Sequence, residues 1–199
     1  MIAIIDYKAG NAPSVQHAAR RIGFDTVLAR DCGQIENASH IILPGVGSAG
    51  ATMNSLREMG ILGALEGAVL RERTLFLGIC VGMQILFERS EEDNADCLGW
   101  LEGYVARFDA SKNRVPQMGW NKVDFANKTP IEAASDFFYF VNSYYARPHD
   151  RDDIWGVSDY GGVFTAAVRR GNIYGTQFHV EKSASAGLSV LAGFCGLSN

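Results

Sequence analysis

The 199-residue chain carries 47% hydrophobic and 20% charged residues, a composition typical of a globular protein with a full apolar core. Its formal net charge of −4 argues against a nucleic-acid partner, no apolar run approaches the ~18 residues of a membrane span, and the N-terminus lacks the basic leader and apolar length of a signal peptide. The cysteines show no CxxC spacing, which predicts reduced thiols in a cytoplasmic protein, without disulfides or a metal site, at Cys32, Cys80, Cys97 and Cys195.

The first half of the chain alternates short apolar runs with helical patterns. "IAIID" predicts a strand that is buried on both faces, and apolar residues then recur at helical spacing over residues 15–22, after the loop "YKAGN". "DTVLA", "HIILPGVG" and "TLFLGI" predict three more strands, with helices over residues 61–69 and 81–88. This alternation predicts a parallel sheet covered by helices on both sides.

After about residue 97 the sequence becomes rich in short β segments, from "WLEGYVARF" through "FFYFVNSYY" to "IYGTQFHV". "RRGNIYG" predicts a hairpin turn at Gly171 and Asn172, and residues 184–194 predict a closing helix. The predicted fold class is therefore α/β: a mostly parallel sheet flanked by helices with an added antiparallel β layer, in a single domain over residues 1–199.

The stretch "GICVG" places Cys80 where a predicted strand meets a predicted helix. With serine at its centre, this Gly-x-Cys-x-Gly form is the nucleophile elbow of hydrolases, a strained turn flanked by glycines that let neighbouring backbone pass close by. The N–H of Val81 would then be available to an oxyanion. The alternative is a buried structural cysteine, and the local pattern alone leaves both interpretations open.

A thiol nucleophile needs a base, and His179 is the strongest candidate among the four histidines. Glu181 follows it by two residues, and on an extended chain such residues point to the same side, so Glu181 can orient the imidazole. A lone strand-end histidine more often has no catalytic role, but the carboxylate and the Cys80 turn together favour a triad. His149 lies in the charged loop "RPHDRDD", which is more typical of a solvated surface than of a metal site.

A second glycine-rich turn, "LPGVGSAG", follows the predicted third strand. Attack on an amide carbonyl produces an oxyanion that needs two donors. A backbone N–H from the Val46–Gly47 segment would supply the second donor beside Val81. An ordinary glycine-rich turn is the alternative.

"PGVG", "GICVGMQ" and "FHVEKS", in this order, resemble the triad glutamine amidotransferases. The further segments "IIDYKAGN", "FERSEE", "VPQMGWN" and "FYFVNSYY" extend the resemblance over nearly the whole chain. These segments narrow the resemblance to the glutaminase subunits of imidazole glycerol phosphate synthase.

The resemblance implies that Cys80 is the nucleophile, His179 the base and acid, and Glu181 the residue that orients the imidazole. It implies that glutamine is held by Gln84, Glu92, Ser143 and Tyr144. It implies that the synthase subunit is faced by Asn11, Tyr139 and Lys182. Each assignment has a simpler alternative: solvated helix residues for Gln84 and Glu92, a core residue for Tyr139, and a surface charge for Lys182.

The implied activity is hydrolysis of glutamine to glutamate and ammonia, with no cofactor. The ammonia would pass to a separate (β/α)8-barrel cyclase subunit for histidine biosynthesis. The alternatives are a glutaminase serving another acceptor, such as a sugar-modifying amidotransferase system, a non-catalytic regulatory homologue, and a cysteine peptidase or chaperone of related architecture.

Some residues depart from the pattern of this family. Val180 stands where proline is usual, and Val81 where leucine is usual. Gln117 and Asn142 stand where histidines are usual, so these two positions keep hydrogen-bonding ability but lose a titratable group. The triad itself is intact.

Overall fold

The computed structural model describes residues 1–8, 11–126, 130–131, 133–134 and 136–198. Residues 9 and 10, in the middle of the predicted loop "YKAGN", lie outside the described residues. No helix in the described part of the chain is both long and apolar enough to cross a membrane.

The first half of the chain forms the predicted strands and helices, with additions. In chain order the elements are β1 (Ile2–Ile5), α1 (Ala12–Arg21), β2 (Thr26–Ala29), α2 (Cys32–Glu36), β3 (His40–Gly45), α3 (Ala49–Glu58), α4 (Leu62–Glu66), which continues as the π-helical segment Gly67–Arg71, β4 (Leu75–Cys80) and α5 (Val81–Gln84). The sequence patterns did not predict α2 or α3.

The second half supplies mostly short strands. They are β5 (Arg89–Ser90), β6 (Ala95–Asp96), β7 (Gly103–Arg107), β8 (Gln117–Phe125), β9 (Asp136–Asn142), β10 (Tyr144–Pro148), β11 (Ile154–Asp159), β12 (Val163–Arg170) and β13 (Ile173–Thr176), followed by α6 (Ala184–Cys195). Single turns of 3₁₀ helix occur at Glu92–Asn94, Arg151–Asp153 and Val180–Lys182.

The parallel part of the sheet has the order β2-β1-β3-β4-β13, which confirms the predicted α/β fold. β1, β3 and β4 are buried along their whole length, as expected for continuous apolar runs between layers of helices. Their register places Gly45 of β3 beside Cys80 of β4. The carboxyl ends of β3, β4 and β13 therefore meet at one edge, where ligands bind in open α/β sheets.

The antiparallel strands extend this sheet rather than forming an isolated layer. β12 pairs with β13 through the predicted two-residue turn at Gly171 and Asn172, and the sheet continues through β10 and β7. A branch runs from β12 through β11 and β8 to β9. The sheet as a whole is mixed, and β9 and β10 reach the edge where β4 ends.

The helix predicted over residues 81–88 is wrong beyond Gln84, where α5 ends. Ile85, Leu86 and Phe87 are all fully buried. Their carbonyls instead accept hydrogen bonds from the backbone of residues 98–101. This turn leads directly into β5 and the 3₁₀ segment Glu92–Asn94.

Candidate active site

Cys80 ends β4 with φ 56° and ψ −111°, a conformation that residues other than glycine rarely adopt. A Cβ at Gly78 would overlap the carbonyl oxygen of Gly82, and a Cβ at Gly82 would overlap the carbonyl oxygen of Leu43. The two glycines therefore allow β4, the start of α5 and β3 to pass in direct backbone contact. This geometry has the form of the predicted nucleophile elbow.

His179 and Glu181 lie past the end of β13, not on it. β13 ends at Thr176, and His179 caps the 3₁₀ turn Val180–Lys182, so the prediction that an extended chain aligns the pair is wrong. The turn itself brings the two side chains together, with 2.9 Å between His179 Nδ1 and Glu181 Oε1. Asn11 Nδ2 donates to the same Glu181 oxygen at 2.9 Å.

Several contacts hold the backbone around His179. Phe178 is fully buried, and its ring centroid lies 4.2 Å from that of Phe138. The His179 N–H donates to the carbonyl of Tyr139 at 3.0 Å, and Ser183 Oγ donates to the carbonyl of His179 at 2.6 Å. Contacts with β9 and with the 3₁₀ turn that follows His179 therefore fix the position of the imidazole.

His179 and Glu181 stabilise each other's charged forms. Burial alone would lower the pKa of His179, but hydrogen bonds and negative charges from Cys80 and Glu181 outweigh it and raise this pKa to about 10. Burial alone would raise the pKa of Glu181, but its hydrogen bond to His179 and the imidazolium charge lower it. This arrangement favours a charged imidazole with a carboxylate behind it.

A cavity of about 320 Å³ opens above Cys80. Its lining contains most of the predicted site residues, namely Val46, Gly47, Cys80, Val81, Gln84, Glu92, Ser143, Tyr144, His179 and Lys182, together with Pro116, Val141 and Asn142. Glu181 and Asn11 lie behind His179, outside this lining, and Tyr139 lies on β9. A volume of this size suits a small molecule.

The predicted oxyanion donors share this cavity. Val46 and Gly47 follow β3, and Gly47 has φ +90° with open space around the position of a Cβ. Glycine is therefore required at position 47 by its backbone conformation and not by crowding. Val81 is the first residue of α5 and also lines the cavity, so its backbone lies next to the sulfur.

Gln84 and Glu92 are not solvated helix residues. Gln84 is 3% exposed, and its Nε2 donates to the Tyr144 carbonyl at 3.1 Å. Glu92 Oε2 accepts from the N–H of Ala49, at the start of α3, at 3.0 Å. Burial raises the pKa of Glu92, although the Ala49 hydrogen bond opposes that change. Glu92 thus offers a partly buried carboxyl group to the cavity.

Sequence reasoning missed Gln177. This residue is fully buried, and its Nε2 lies 3.6 Å from Cys80 Sγ. A signal was available, because Gln177 precedes His179 by two residues in "TQFHV", and alternate residues of an extended stretch face the same side.

Gln117 and Asn142, which replace the usual histidines, are cross-strand partners on β8 and β9. Both are buried, and Asn142 Nδ2 donates to the Tyr144 carbonyl at 2.9 Å. Neither side-chain oxygen has a hydrogen-bond partner among the described residues. Val180 is fully buried beside the triad.

Tyr139, one of the predicted partner-facing residues, lies on an exposed apolar surface. Tyr139 packs edge-on against Trp120, with ring centroids 6.0 Å apart. On the same face of the β8–β9 pair, Met118, Trp120 and Phe137 are each more than half exposed. We call this surface, which comprises Met118, Trp120, Phe137 and Tyr139, the β8–β9 apolar face. Exposed large apolar side chains on one face are typical of a protein–protein contact.

Across the described residues, no group of three or more His, Cys, Asp or Glu side chains is placed to hold a metal ion. The buried His40 opens β3, where its Nδ1 lies 3.0 Å from Ser39 Oγ.

The sequence matches the family described as Glutamine amidotransferase class-I over residues 3–195. It is 41% identical to imidazole glycerol phosphate synthase subunit HisH 2 of Methanococcus maripaludis, over 98% of each chain. It is 42% identical to subunit HisH of Geobacillus kaustophilus, over 100% of this chain and 97% of the relative.

Solved structures share the fold at lower identity. One is a crystal structure of a glutamine amidotransferase, with a TM-score of 0.79 at 19% identity over 98% of this chain and 99% of the other. Another is the structure of PurLQS from Thermotoga maritima, with a TM-score of 0.77 at 21% identity over 98% of this chain and 96% of the other. At these identities the likeness concerns the fold alone.

Proposed function

The chain belongs to the class-I glutamine amidotransferases, and from that premise we propose that it is the glutaminase subunit of imidazole glycerol phosphate synthase. It hydrolyses glutamine to glutamate and ammonia, and a separate cyclase subunit uses the ammonia in histidine biosynthesis. The observation that carries this proposal is the Cys80–His179–Glu181 arrangement, in which Cys80 and His179 line a cavity of about 320 Å³ and Glu181 lies behind His179.

The proposed chemistry follows the charges of the site. The Cys80 thiolate attacks the side-chain amide carbon of glutamine, and backbone N–H groups of Val81 and the Val46–Gly47 segment stabilise the oxyanion. His179 gives its proton to the leaving nitrogen, the C–N bond breaks, and a thioester and ammonia form. Neutral His179 then accepts a proton from water as the water attacks the thioester, and glutamate leaves as the thiolate reforms.

The remaining cavity residues fit the amino-acid end of glutamine. The Glu92 carboxylate suits the α-ammonium group, and Ser143 and Tyr144 present backbone along the substrate. The Gln84 side chain is fixed to the Tyr144 carbonyl and so braces that strand.

We propose that the partner is a (β/α)8-barrel cyclase that docks over Asn11, Tyr139, Lys182 and the β8–β9 apolar face. Lys182 lines the cavity and follows Glu181, so a contact there would reach the triad directly. Interface anchors are commonly aromatic, which fits Trp120. The four free cysteines support a site of action in the reducing cytoplasm.

The test is reconstitution with the cyclase subunit, comparing wild type with Cys80→Ala. Cys80→Ala should bind the cyclase and support synthesis from added ammonium at high pH, but should abolish synthesis from glutamine. Cys97→Ala is the matched control and should retain both activities. Loss of both activities in Cys80→Ala would assign Cys80 a structural role, and continued synthesis from glutamine would refute it as the nucleophile.

A second arm tests the acceptor. Wild type alone should release little ammonia, and addition of the cyclase and its ligand should raise the rate markedly. Stimulation by a sugar-modifying synthase and not by the cyclase would refute the acceptor while leaving the glutaminase chemistry intact.

A further inference from the structure

We propose that Gln177 is a further catalytic residue: its carboxamide donates a hydrogen bond to Cys80 Sγ and stabilises the thiolate, and Gln84 holds it in the donating orientation. The proposal rests on the proposed function only in taking Cys80 as the nucleophile. Gln177 Nε2 lies 3.6 Å from Cys80 Sγ, and both residues are buried.

The position of Gln177 is fixed by its backbone as well as by its side chain. It directly follows β13, and its N–H donates to the carbonyl of Ala166 on β12 at 2.8 Å. β13 pairs with β4, the strand that ends at Cys80. The sheet therefore carries the carboxamide and the sulfur to the same place.

The orientation of the Gln177 amide follows from a chain of hydrogen bonds that begins at a backbone carbonyl. The Tyr144 carbonyl can only accept, so Gln84 must present its Nε2 to it, at 3.1 Å. The same Nε2 lies 3.0 Å from Gln177 Oε1, which must then be the acceptor. Gln177 is left with its N–H groups facing the sulfur. We call this chain, from Tyr144 through Gln84 and Gln177 to Cys80, the amide relay.

This donor complements His179. The imidazole loses its charge when it protonates the leaving nitrogen, whereas a carboxamide does not titrate and donates unchanged throughout. When water attacks the thioester, the C–S bond breaks and its electron pair returns to the sulfur. Gln177 then stabilises the departing thiolate while His179 takes the proton of the water. The amide relay begins at Tyr144, on the strand proposed to lie along the substrate.

The direct test is the pH profile of alkylation of Cys80 by iodoacetamide, followed peptide by peptide with mass spectrometry. In Gln177→Met the pH at which alkylation of Cys80 is half-maximal should rise by about one unit, because a hydrogen bond to a charged acceptor is lost. In Gln177→Glu, which preserves shape but places a carboxylate beside the sulfur, it should move further. Gln16→Met is the matched control, because Gln16 is a half-buried glutamine on α1 that donates to Thr26.

The molecule also provides internal references. Burial raises the pKa of Cys97 to about 11 and that of Cys195 to about 12, so both thiols should react slowly and identically in every variant. Gln177→Met should also lower kcat about tenfold while leaving the KM for glutamine unchanged, with the rate expressed per folded protein as measured by circular dichroism.

The amide relay predicts that the effects of substituting Gln84 and Gln177 are not additive. Gln84→Met frees the Gln177 amide to rotate, so the Cys80 midpoint should shift upward by less than in Gln177→Met. The double variant should shift no further than Gln177→Met, because Gln84 acts through Gln177. Additive shifts would refute the relay.

The proposal is overturned if Gln177→Met keeps the alkylation profile of Gln16→Met, because the shift in Gln177→Glu can arise from its added charge alone. Where Gln177→Met fails to fold by circular dichroism, Gln84→Met decides, and an unchanged midpoint in that variant overturns the proposal. Alkylation needs no glutaminase activity, so a wild-type protein that releases no ammonia even with the cyclase and its ligand would refute the proposed function, while this measurement would still decide the role of Gln177.

Discussion

Three glycine-to-alanine substitutions should separate the steric and conformational demands of the site. The substituted residues are Gly82, at the nucleophile elbow, Gly47, in the proposed oxyanion loop, and Gly63, on the exposed surface of α4. The added methyl group is the same in each case, but it meets backbone at Gly82 and open space at the other two. From most to least stable, the expected order is Gly63→Ala, wild type, Gly47→Ala and Gly82→Ala.

Gly82→Ala should be the most damaging, because its Cβ would overlap the Leu43 carbonyl oxygen. Carbon–oxygen contact requires the two backbones to separate by about 1 Å or more, and neither is a flexible side-chain end. Overpacking of this kind costs about 3 kcal/mol or more. In a chain of this length that corresponds to a loss of roughly 6–12 °C in Tm.

The other two substitutions meet no atoms within 4 Å, so only backbone conformation distinguishes them. Gly47 has φ +90°, and alanine there should cost roughly 1–2 kcal/mol. Gly63 lies in a helix with ordinary φ, and alanine should stabilise it by roughly 0.5–1 kcal/mol.

Thermal unfolding followed by circular dichroism measures the ranking, and ammonia release in the presence of the cyclase measures function. Gly47→Ala should fold yet lose on the order of 10²-fold in turnover, through misplacement of one oxyanion donor. Gly63→Ala should retain full activity. A Gly82→Ala protein as stable as wild type would refute the elbow packing, and full activity in Gly47→Ala would exclude this loop from the oxyanion hole.

Three further outcomes are expected. Glu92→Gln should raise the KM for glutamine about tenfold or more with kcat little changed. The glutamine amide can still accept a hydrogen bond from Ala49, but it lacks the negative charge that would bind an ammonium group. A change in kcat alone would contradict this role. Because the pKa of His179 is raised from 6.5 to about 10, the stability contributed by its charged form is complete below pH 6.5 and is lost as the pH rises to about 10. Thermal unfolding across that range should show the loss in wild type and a flatter profile in His179→Gln, and equal profiles would refute the linkage. Trp120→Ala should weaken cyclase binding about 30-fold by calorimetry without lowering Tm, and unchanged affinity would remove the β8–β9 apolar face from the interface.

The parallel strands and the elbow geometry at Cys80 were predictable because their signals are local. A strand buried on both faces must be continuously apolar, and "IAIID" and "TLFLGI" have that form. The elbow at Cys80 needs glycine on both sides for close backbone approach, so "GICVG" records a steric requirement directly. The pairing of His179 with Glu181 was correctly expected, although a 3₁₀ turn and not an extended chain produces it.

Features that depend on distant parts of the chain were not predictable in the same way. α3 begins with alanine and glycine and buries the polar Thr52, and its start is held by Ser48 and by Glu92, 43 residues away from Ala49. α5 stops at Gln84 because residues 98–101 compete for the backbone of residues 85–87. Gln177 contacts Cys80 only because β13 lies beside β4.

The place of β13 in the sheet has a consequence for how each new copy of the protein is made. Cys80 is synthesised roughly ninety residues before β13, an interval of about 5–20 s at ribosomal speeds. Until β13 emerges, the edge of β4 that it will cover has no partner, and the thiol has neither base nor amide donor. A nascent chain is therefore unable to consume glutamine. Hydrolysis can begin only after β13 has inserted between β4 and β12.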